Sequence, residues 1–287
     1  MALEFPQKEN LVKSIEKLNN IDLGSISYEK ICSILLDEIK LIPKHSRTIK
    51  PRTCIFRGRF NTNKLYSSEQ EISYNPNTSS IKQFGRFNIP EQQFFYGSIR
   101  LNEDEKIANT IFGELLNMEN SLTNNDIKIL TIGRWEAIKE FEIISTLFEE
   151  TDINNEIKNN PDKKEEINLI LDFFSKQIKK PNISQIHHNY KITAAYANFA
   201  LTHIENCFGI VYYSVENVLL GRNIALLPFA VDNFFILKEV KLFMILNWEN
   251  REIRPIELMF AKDLGIYNSS FRWEFKKEYI DLINNLY

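Results

Sequence analysis

The spacing of apolar residues changes several times along this chain of 287 residues, and this order constrains the fold more than any other feature. Over residues 7–42, apolar residues recur every three or four positions, which predicts helices. Short runs rich in β-branched and aromatic residues then alternate irregularly with further helical segments. Because strands and helices do not follow one another as regular βαβ units, the pattern predicts an α+β fold.

The expected elements suggest two regions. The segments with the composition of strands are residues 54–60, 92–98, 127–136, 208–214 and 222–229. The segments with helical spacing are residues 104–118, 167–174 and 191–205, while residues 139–150 fit a strand or a helix. We therefore expect an N-terminal helical region at residues 1–50 and a larger domain at residues 51–287, with a charged helical insertion at about 152–181.

Charge and cysteine usage exclude several classes of protein. The net charge of −3 argues against a broad nucleic-acid-binding surface. Cys32, Cys54 and Cys207 are far apart and form no CxxC pair, so neither a zinc ribbon nor a disulfide framework is expected. The first 18 residues lack a signal-peptide core, and no apolar run approaches the ~20 residues of a membrane-spanning helix. The expected location is the cytoplasm, without membrane contact.

The familiar phosphate-binding and hydrolase motifs are missing from the sequence. The chain has nine glycines and contains no GxGxxG, GxxxxGK[ST], HExxH or GxSxG motif. His187 and His188 are adjacent, so on a strand or an α-helix their rings are expected to point in different directions. An exposed start of a helix is the favoured interpretation of this pair, and no metal site is expected.

Three segments carry a resemblance to a known family. They are FGRFNIPEQQFFYGS at residues 84–98, ANTIFGELL at residues 108–116 and FGIVYYSVENVLLGRNIALLP at residues 208–228. In this order they resemble the RES domain, which is named for its Arg, Glu and Ser. Gly85 to Asn88 fit the opening G-R-[FWA]-N of the family, and Tyr96 fits its tyrosine ten residues after the arginine.

The other two segments supply the remaining family positions. Glu114 matches the glutamate on a helix, and Ser214 matches the serine of G-[IV]-x-[YF]-x-S. Asn223 fits an asparagine that often follows the serine block. Glu103 and Glu105 remain alternatives for the glutamate. The resemblance covers roughly residues 50 to 245, while the helical N-terminus and the insertion at 152–181 lie outside it.

The resemblance implies a fold similar to that of the ADP-ribosyltransferases, with a mixed β core and flanking helices, and NAD+ as the substrate. Characterised relatives are toxins of bacterial toxin–antitoxin pairs that deplete NAD+ by phosphorolysis or hydrolysis. An NAD+ phosphorylase or glycohydrolase is therefore expected, with inorganic phosphate as a co-substrate in the first case and no further cofactor. The expected partner is a helical antitoxin, and a homo-oligomer is left open.

The residue types fit this chemistry. Cleavage of the nicotinamide–ribose bond builds positive charge on the ribose, which a carboxylate such as Glu114 stabilises. The guanidinium groups of Arg86 and Arg57 match phosphate oxygens. The ring of Tyr96 can pack against nicotinamide or ribose, and the hydroxyl of Ser214 can bind ribose, amide or phosphate. Taken alone, each of these residues has a simpler structural explanation.

Some residues and functions are left as alternatives. Asn223 is a further binding candidate, whereas Arg59 and Arg222 are expected to be exposed charges. A transferase that attaches ADP-ribose to a macromolecule breaks the same bond, and the N-terminal helices and the insertion could recruit its acceptor. A catalytically silent interaction module is the alternative from another class. Nucleic-acid binding is the weakest hypothesis, because the charge balance is acidic.

Overall fold

The computed structural model divides the chain into two compact units, each assembled from three stretches of sequence. The residues that the structure describes are 6–40, 45–62, 64–100, 111, 127–180, 184–215, 221–247, 253–262, 264 and 270–276. Unit 1 is formed by Met1–Ile49, Asn77–Phe94 and Phe141–Val215. Unit 2 is formed by Lys50–Pro76, Phe95–Glu140 and Glu216–Tyr287.

Helices and strands are mixed along the chain. The α-helices are α1 (Lys8–Asn20), α2 (Tyr28–Ser33), α3 (Glu69–Ile72), α4 (Glu150–Asn159), α5 (Lys164–Ile178), α6 (Lys191–Thr202) and α7 (Pro228–Phe234). A π-helical turn (Ile34–Ile39) follows α2, and a 3-10 helix (Ser184–Tyr190) precedes α6. The strands are β1 (His45–Ile49), β2 (Cys54–Asn61), β3 (Phe95–Ile99), β4 (Ile127–Ala137), β5 (Phe141–Ser145), β6 (Cys207–Tyr213), β7 (Arg222–Leu226), β8 (Phe235–Asn247), β9 (Ile253–Lys262) and β10 (Arg272–Phe275). A search of the described residues finds no helix with the length and apolar character needed to cross a membrane.

The N-terminal helices pack inside unit 1, where α1 contacts the charged insertion and α2 contacts the helix that follows it. Helix α1 contacts α5, where the amide of Gln177 donates to the side-chain oxygen of Asn19 at 3.1 Å. Helix α2 contacts α6, whose Lys191 ammonium donates to the carbonyl of Ile26 at 2.6 Å. The N-terminal residues and the insertion therefore belong to one compact unit.

The insertion forms part of a connection between two parallel strands of unit 1. Strand β1 is antiparallel to β5, while β5 is parallel to β6. A parallel pair needs a long crossover connection, because the chain must return to the end from which it started. Helices α4, α5 and α6 lie between β5 and β6 in sequence and supply this crossover.

Unit 2 contains an antiparallel sheet. Its strands within the described residues follow the order β7-β3-β2-β4-β8-β9-β10, and each neighbouring pair is antiparallel. On one face, the fully buried rings of Phe95 and Trp135 meet edge to face with centroids 5.0 Å apart. A Cβ atom at Gly133 would lie 2.6 Å from the Trp135 ring, so the glycine leaves the space that this ring fills. The opposite face packs Ile111, Leu130 and their neighbours.

These elements confirm the α+β class that the sequence predicts. The expected strands are present as β2, β3, β4, β6 and β7. The ambiguous segment at residues 139–150 contains strand β5 (Phe141–Ser145) and ends where α4 begins. The insertion consists of two helices, α4 and α5, joined by a short 3-10 turn at Pro161–Lys163.

A pH-dependent contribution to stability is expected at Glu71 in α3. A hydrogen bond from Lys64, followed by one from the Ser67 N–H at 2.6 Å, lowers the pKa of this carboxyl from 4.5 to about 2. A carboxylate with a lower pKa in the folded state stabilises the protein above its unfolded pKa, and this contribution is lost as the pH falls through the folded pKa. Because water screens this surface pair, Glu71→Gln should cost no more than about 1 kcal/mol at neutral pH.

Urea unfolding measured as the pH falls from neutral towards 2 tests this expectation. The difference between wild type and Glu71→Gln should shrink over that range. The matched control is Glu16→Gln on the exposed surface of α1, which should show little difference at any pH. A difference for Glu71→Gln that stays constant down to acid pH would contradict the assignment.

Candidate functional site

The GRFN block forms a tight turn in unit 1. The N–H of Gly85 donates to the carbonyl of Asn88 at 3.0 Å, and this bond closes the turn. The side chains of Arg86 and Phe87 are 9% and 0% exposed, so both lie in the interior of the unit. The turn therefore places a guanidinium among buried groups, which requires hydrogen-bond partners for it.

Arg86 caps the end of a helix that lies far from it in sequence. Its Nη1 donates to the carbonyls of Ile178 and Lys180, the second at 3.0 Å. Ile178 is the last residue of α5, and the final carbonyls of a helix have no partner within the helix. A positive charge also interacts favourably with the negative end of the helix dipole. The end of the insertion is thereby hydrogen-bonded to the loop that carries Arg86.

Aromatic rings hold the rest of the Arg86 guanidinium. Its central carbon lies 5.1 Å from the ring centroid of Tyr190 and 5.7 Å from that of Tyr212. The ion pairs found within the described residues do not include Arg86. Its charge is therefore shared with carbonyl dipoles and π faces, and within the described part of unit 1 no carboxylate neutralises it. Such a charge favours a bound anion.

Ser214 follows the strand that carries one of these rings. Tyr212 lies near the end of β6, its ring meets the buried Phe87 ring edge to face at 5.0 Å, and Ser214 comes two residues later. Side chains two residues apart in extended backbone point to the same face. Ser214 is 1% exposed, so its hydroxyl belongs to the interior of unit 1. Arg86 and the strand of Ser214 are thus brought together through Tyr212.

The loop that precedes Arg86 borders a cavity of about 370 Å³. Residues 80–85 and Asn88 line it, all within unit 1. Its volume falls within the range of roughly 300–1,000 Å³ that is usual for small-molecule sites. The lining includes a lysine, a glutamine, a serine and the ring of Phe84, which together can bind a ligand with both polar and aromatic parts.

Arg57 and Tyr96 lie on neighbouring strands of unit 2. The Arg57 guanidinium donates through Nη1 to the carbonyl of Tyr96 and lies 5.2 Å from the ring centroid of Phe95. Strands β2 and β3 pair with Phe56 opposite Ser98, which sets Arg57 beside Gly97. Since side chains alternate along a strand, Arg57 and Tyr96 leave the sheet on opposite faces. Arg57 therefore contacts the main chain of Tyr96, while the Tyr96 ring lies on the other face of the sheet.

Asn223 shares a face of the unit 2 sheet with Tyr96. Strand β3 pairs with β7 so that Tyr96 is opposite Ala225 and Ser98 is opposite Asn223. The hydroxyl of Ser98 donates to the side-chain oxygen of Asn223 at 3.0 Å, and both residues are buried. This bond orients the Asn223 amide on the Tyr96 face of the sheet.

The site residues expected from the sequence are distributed over both units. Arg86 and Ser214 belong to unit 1, whereas Arg57, Tyr96 and Asn223 belong to unit 2. The predicted carboxylate Glu114 lies outside the described residues, as do its alternatives Glu103 and Glu105.

The expectation that Arg59 and Arg222 are exposed charges is wrong. Both side chains are half-buried. Arg59 donates through Nη2 to the carbonyl of Ser73, which caps the end of α3. Burial lowers the pKa of Arg59. Arg59 therefore satisfies a helix terminus in unit 2, and the spacing of the sequence gave no sign of this, because α3 is a single turn.

The two adjacent histidines also differ from expectation. They lie in the 3-10 helix that precedes α6, and their ring centroids are 3.9 Å apart, so the rings do not diverge as they would on a strand. His187 also stacks near Phe84, with centroids 6.1 Å apart and planes 14° from parallel. Within the described residues, no group of three metal-binding side chains occurs.

Several residues of the site were not singled out by the sequence. Tyr190 and Tyr212 contact Arg86, and Phe84 contacts His187. Tyr212 could have been singled out from the sequence, because it occupies the aromatic position of G-[IV]-x-[YF]-x-S, two residues before the serine. Tyr190 had no such signal, since its segment lies between the matched blocks.

Comparison with models of known protein families and with curated proteins gives no match to this chain.

Proposed function

We propose that this protein cleaves the bond between nicotinamide and ribose in NAD+. One observation supports this most strongly: the buried Arg86 holds a positive charge that no carboxylate of the described residues pairs with, at a turn whose sequence resembles the RES family. A dinucleotide brings a pyrophosphate that such a guanidinium binds well. An ADP-ribosyltransferase-like arrangement of the α+β fold is part of the same proposal.

The proposed reaction balances without a redox partner. The bond from the ribose C1′ to the nicotinamide nitrogen breaks, and nicotinamide leaves neutral with the bonding electron pair. Positive charge develops on the ribose, and an oxygen of water or inorganic phosphate forms the new bond to C1′. Water then yields ADP-ribose and a proton, whereas phosphate yields ADP-ribose phosphorylated at C1′.

Each candidate residue has a role in this proposal. Glu114 stabilises the charge that develops on the ribose. Among the described residues, both carbonyl contacts of Arg86 are made by Nη1. In this proposal its Nη2 and Nε bind phosphate oxygens. Tyr96 packs against the nicotinamide or ribose, and Ser214 hydrogen-bonds ribose or phosphate. Arg57 and Asn223 orient the strand that carries Tyr96.

The proposal includes a biological role. Depletion of NAD+ would make the protein a bacterial toxin that acts in the cytoplasm, kept inactive by a helical antitoxin. Its expression without that partner should stop growth, and Glu114→Gln should relieve the arrest. Arrest that persists in a strain expressing folded Glu114→Gln would count against a toxic activity at this site.

The acceptor can be determined from the products. The purified full chain is incubated with NAD+ labelled on the adenine, in buffer with and without inorganic phosphate, and with a cell lysate. Free ADP-ribose indicates hydrolysis, the phosphorylated product indicates phosphorolysis, and label attached to protein or nucleic acid indicates a transferase. Label that remains in intact NAD+ under all three conditions would refute the proposal.

A further inference from the structure

We propose that the cavity lined by residues 80–85 and Asn88 in unit 1 binds the aromatic base and the phosphate of a nucleotide. The choice of a nucleotide related to NAD+ rests on the proposed function, while the binding mode rests on the cavity itself. Its volume of about 370 Å³ suits one base with its sugar and phosphate better than a whole dinucleotide. The site is therefore expected to hold one half of the substrate.

The ring of Phe84 gives the cavity an aromatic wall with a fixed position. It is half-buried and lines the cavity. Within unit 1 it lies 5.8 Å from the Tyr28 ring and 6.1 Å from the His187 ring. The Phe84 N–H also donates to Nδ1 of His187 at 3.4 Å. A ring held by its neighbours loses little conformational entropy when a base packs against it.

One lysine lies against the Phe84 ring and another lines the cavity. The ammonium of Lys191 lies 5.8 Å from the Phe84 centroid, is buried, and donates to a carbonyl. Lys82 is exposed and lines the cavity directly. Burial, the neighbouring His188 and then Lys191 lower the pKa of His187, so its ring adds no positive charge at neutral pH. A lysine in the lining with a second lysine behind the ring favours an anionic ligand, although the whole chain is acidic.

The polar lining supplies hydrogen bonds for a base edge or a sugar. Gln83 is exposed, lines the cavity, and carries both a donor and an acceptor. Neither a free anion nor a purely apolar molecule would use the ring, the amide and the lysine together. A nucleotide uses all three.

Equilibrium binding tests this inference without turnover. Adenosine monophosphate and nicotinamide mononucleotide are titrated into the full chain by calorimetry, beside adenosine and inorganic phosphate. We expect at least one nucleotide to bind more tightly than adenosine or phosphate alone. Phe84→Leu should weaken that nucleotide about tenfold, since stacking of a base contributes about 5- to 150-fold. The matched control Phe275→Leu, at an exposed phenylalanine of unit 2, should bind as wild type does.

The outcomes separate this inference from the proposed function. If a nucleotide binds in a manner that depends on Phe84 but the protein leaves NAD+ intact, the cavity is supported as a nucleotide site. The proposed cleavage of NAD+ is then refuted. If wild type binds neither nucleotide and Phe84→Leu cleaves NAD+ with an unchanged KM, the nucleotide-binding role of the cavity is refuted. The proposed enzymatic function would still stand. If Phe84→Leu does not fold, Lys82→Gln replaces it and should lower nucleotide affinity while leaving adenosine affinity unchanged. Nucleotide binding that is equal in wild type and in the folded variant would overturn the inference.

Discussion

Replacement of Arg86 by methionine should lower the free energy of unfolding by about 3 kcal/mol. Methionine keeps the length of the side chain but removes the charge and the donors. The carbonyls of Ile178 and Lys180 would lose their charge-assisted hydrogen bonds at the end of α5. The attraction to the rings of Tyr190 and Tyr212 would also be lost. Removal of a desolvated charge offsets part of this loss, which is why the expected cost is smaller than the sum of the contacts.

The same substitution should nearly abolish cleavage of NAD+. If Arg86 binds the pyrophosphate, its loss should lower kcat/KM by roughly a hundredfold or more, as the loss of a preorganised donor does in other sites. Arg86→Lys keeps the charge without the planar fork of donors, so its effects on stability and activity should be intermediate.

Urea unfolding followed by circular dichroism measures the stability effect, and nicotinamide release measures the activity. The matched control is Arg272→Met at an exposed position of β10, which should change neither. An Arg86→Met protein as stable as wild type would show that the guanidinium does not anchor the insertion. A stable variant with full activity would show that Arg86 takes no part in the cleavage of NAD+.

Gly97→Ala should destabilise the protein by about 2 kcal/mol or more, because its new methyl group has no space. A Cβ atom at Gly97 would lie 2.6 Å from the carbonyl oxygen of Phe56 and 3.0 Å from the Phe95 ring. The closer neighbour belongs to the main chain of the paired strand β2. The clash with the new methyl group is therefore relieved only if β2 and β3 move apart. The separation would also disturb the hydrogen bond from Arg57 to the Tyr96 carbonyl.

Gly24→Ala provides the matched control for this prediction. At Gly24 the nearest atom to a new Cβ is a carboxylate oxygen of Asp22 at 3.1 Å, which belongs to an exposed and movable side chain. Thermal unfolding should therefore show a large fall in Tm for Gly97→Ala and little change for Gly24→Ala. Equal Tm values for the two variants would mean that β2 and β3 have room for the methyl group.

Local patterns predicted much of the fold. The alternation and aromatic content around Cys54–Asn61 and Phe95–Ile99 indicated strands that the structure contains. Residues 139–150 were ambiguous because their strand contains only three apolar residues, and a helix begins five residues after the strand ends. The sequence indicated helices in the insertion, but not that they form a parallel crossover, since that depends on pairing between β5 and β6.

The contacts of the site were less accessible to sequence reasoning. The GRFN motif singled out Arg86, yet its hydrogen-bond partners lie 92 and 94 residues away, at the end of the charged insertion. No local pattern records a helix end that is capped from such a distance. Tyr212 could have been predicted, because it lies two residues before Ser214 and extended backbone places both side chains on one face. The opposite faces of Arg57 and Tyr96 follow only from the register of their strands.

The most direct test of the central claim is the release of nicotinamide from NAD+ by the purified full chain, measured with and without inorganic phosphate. The account predicts release by wild type and by Arg272→Met in at least one of these buffers, and almost none by Glu114→Gln. A wild-type protein that is folded by circular dichroism and releases no nicotinamide in either buffer would contradict it.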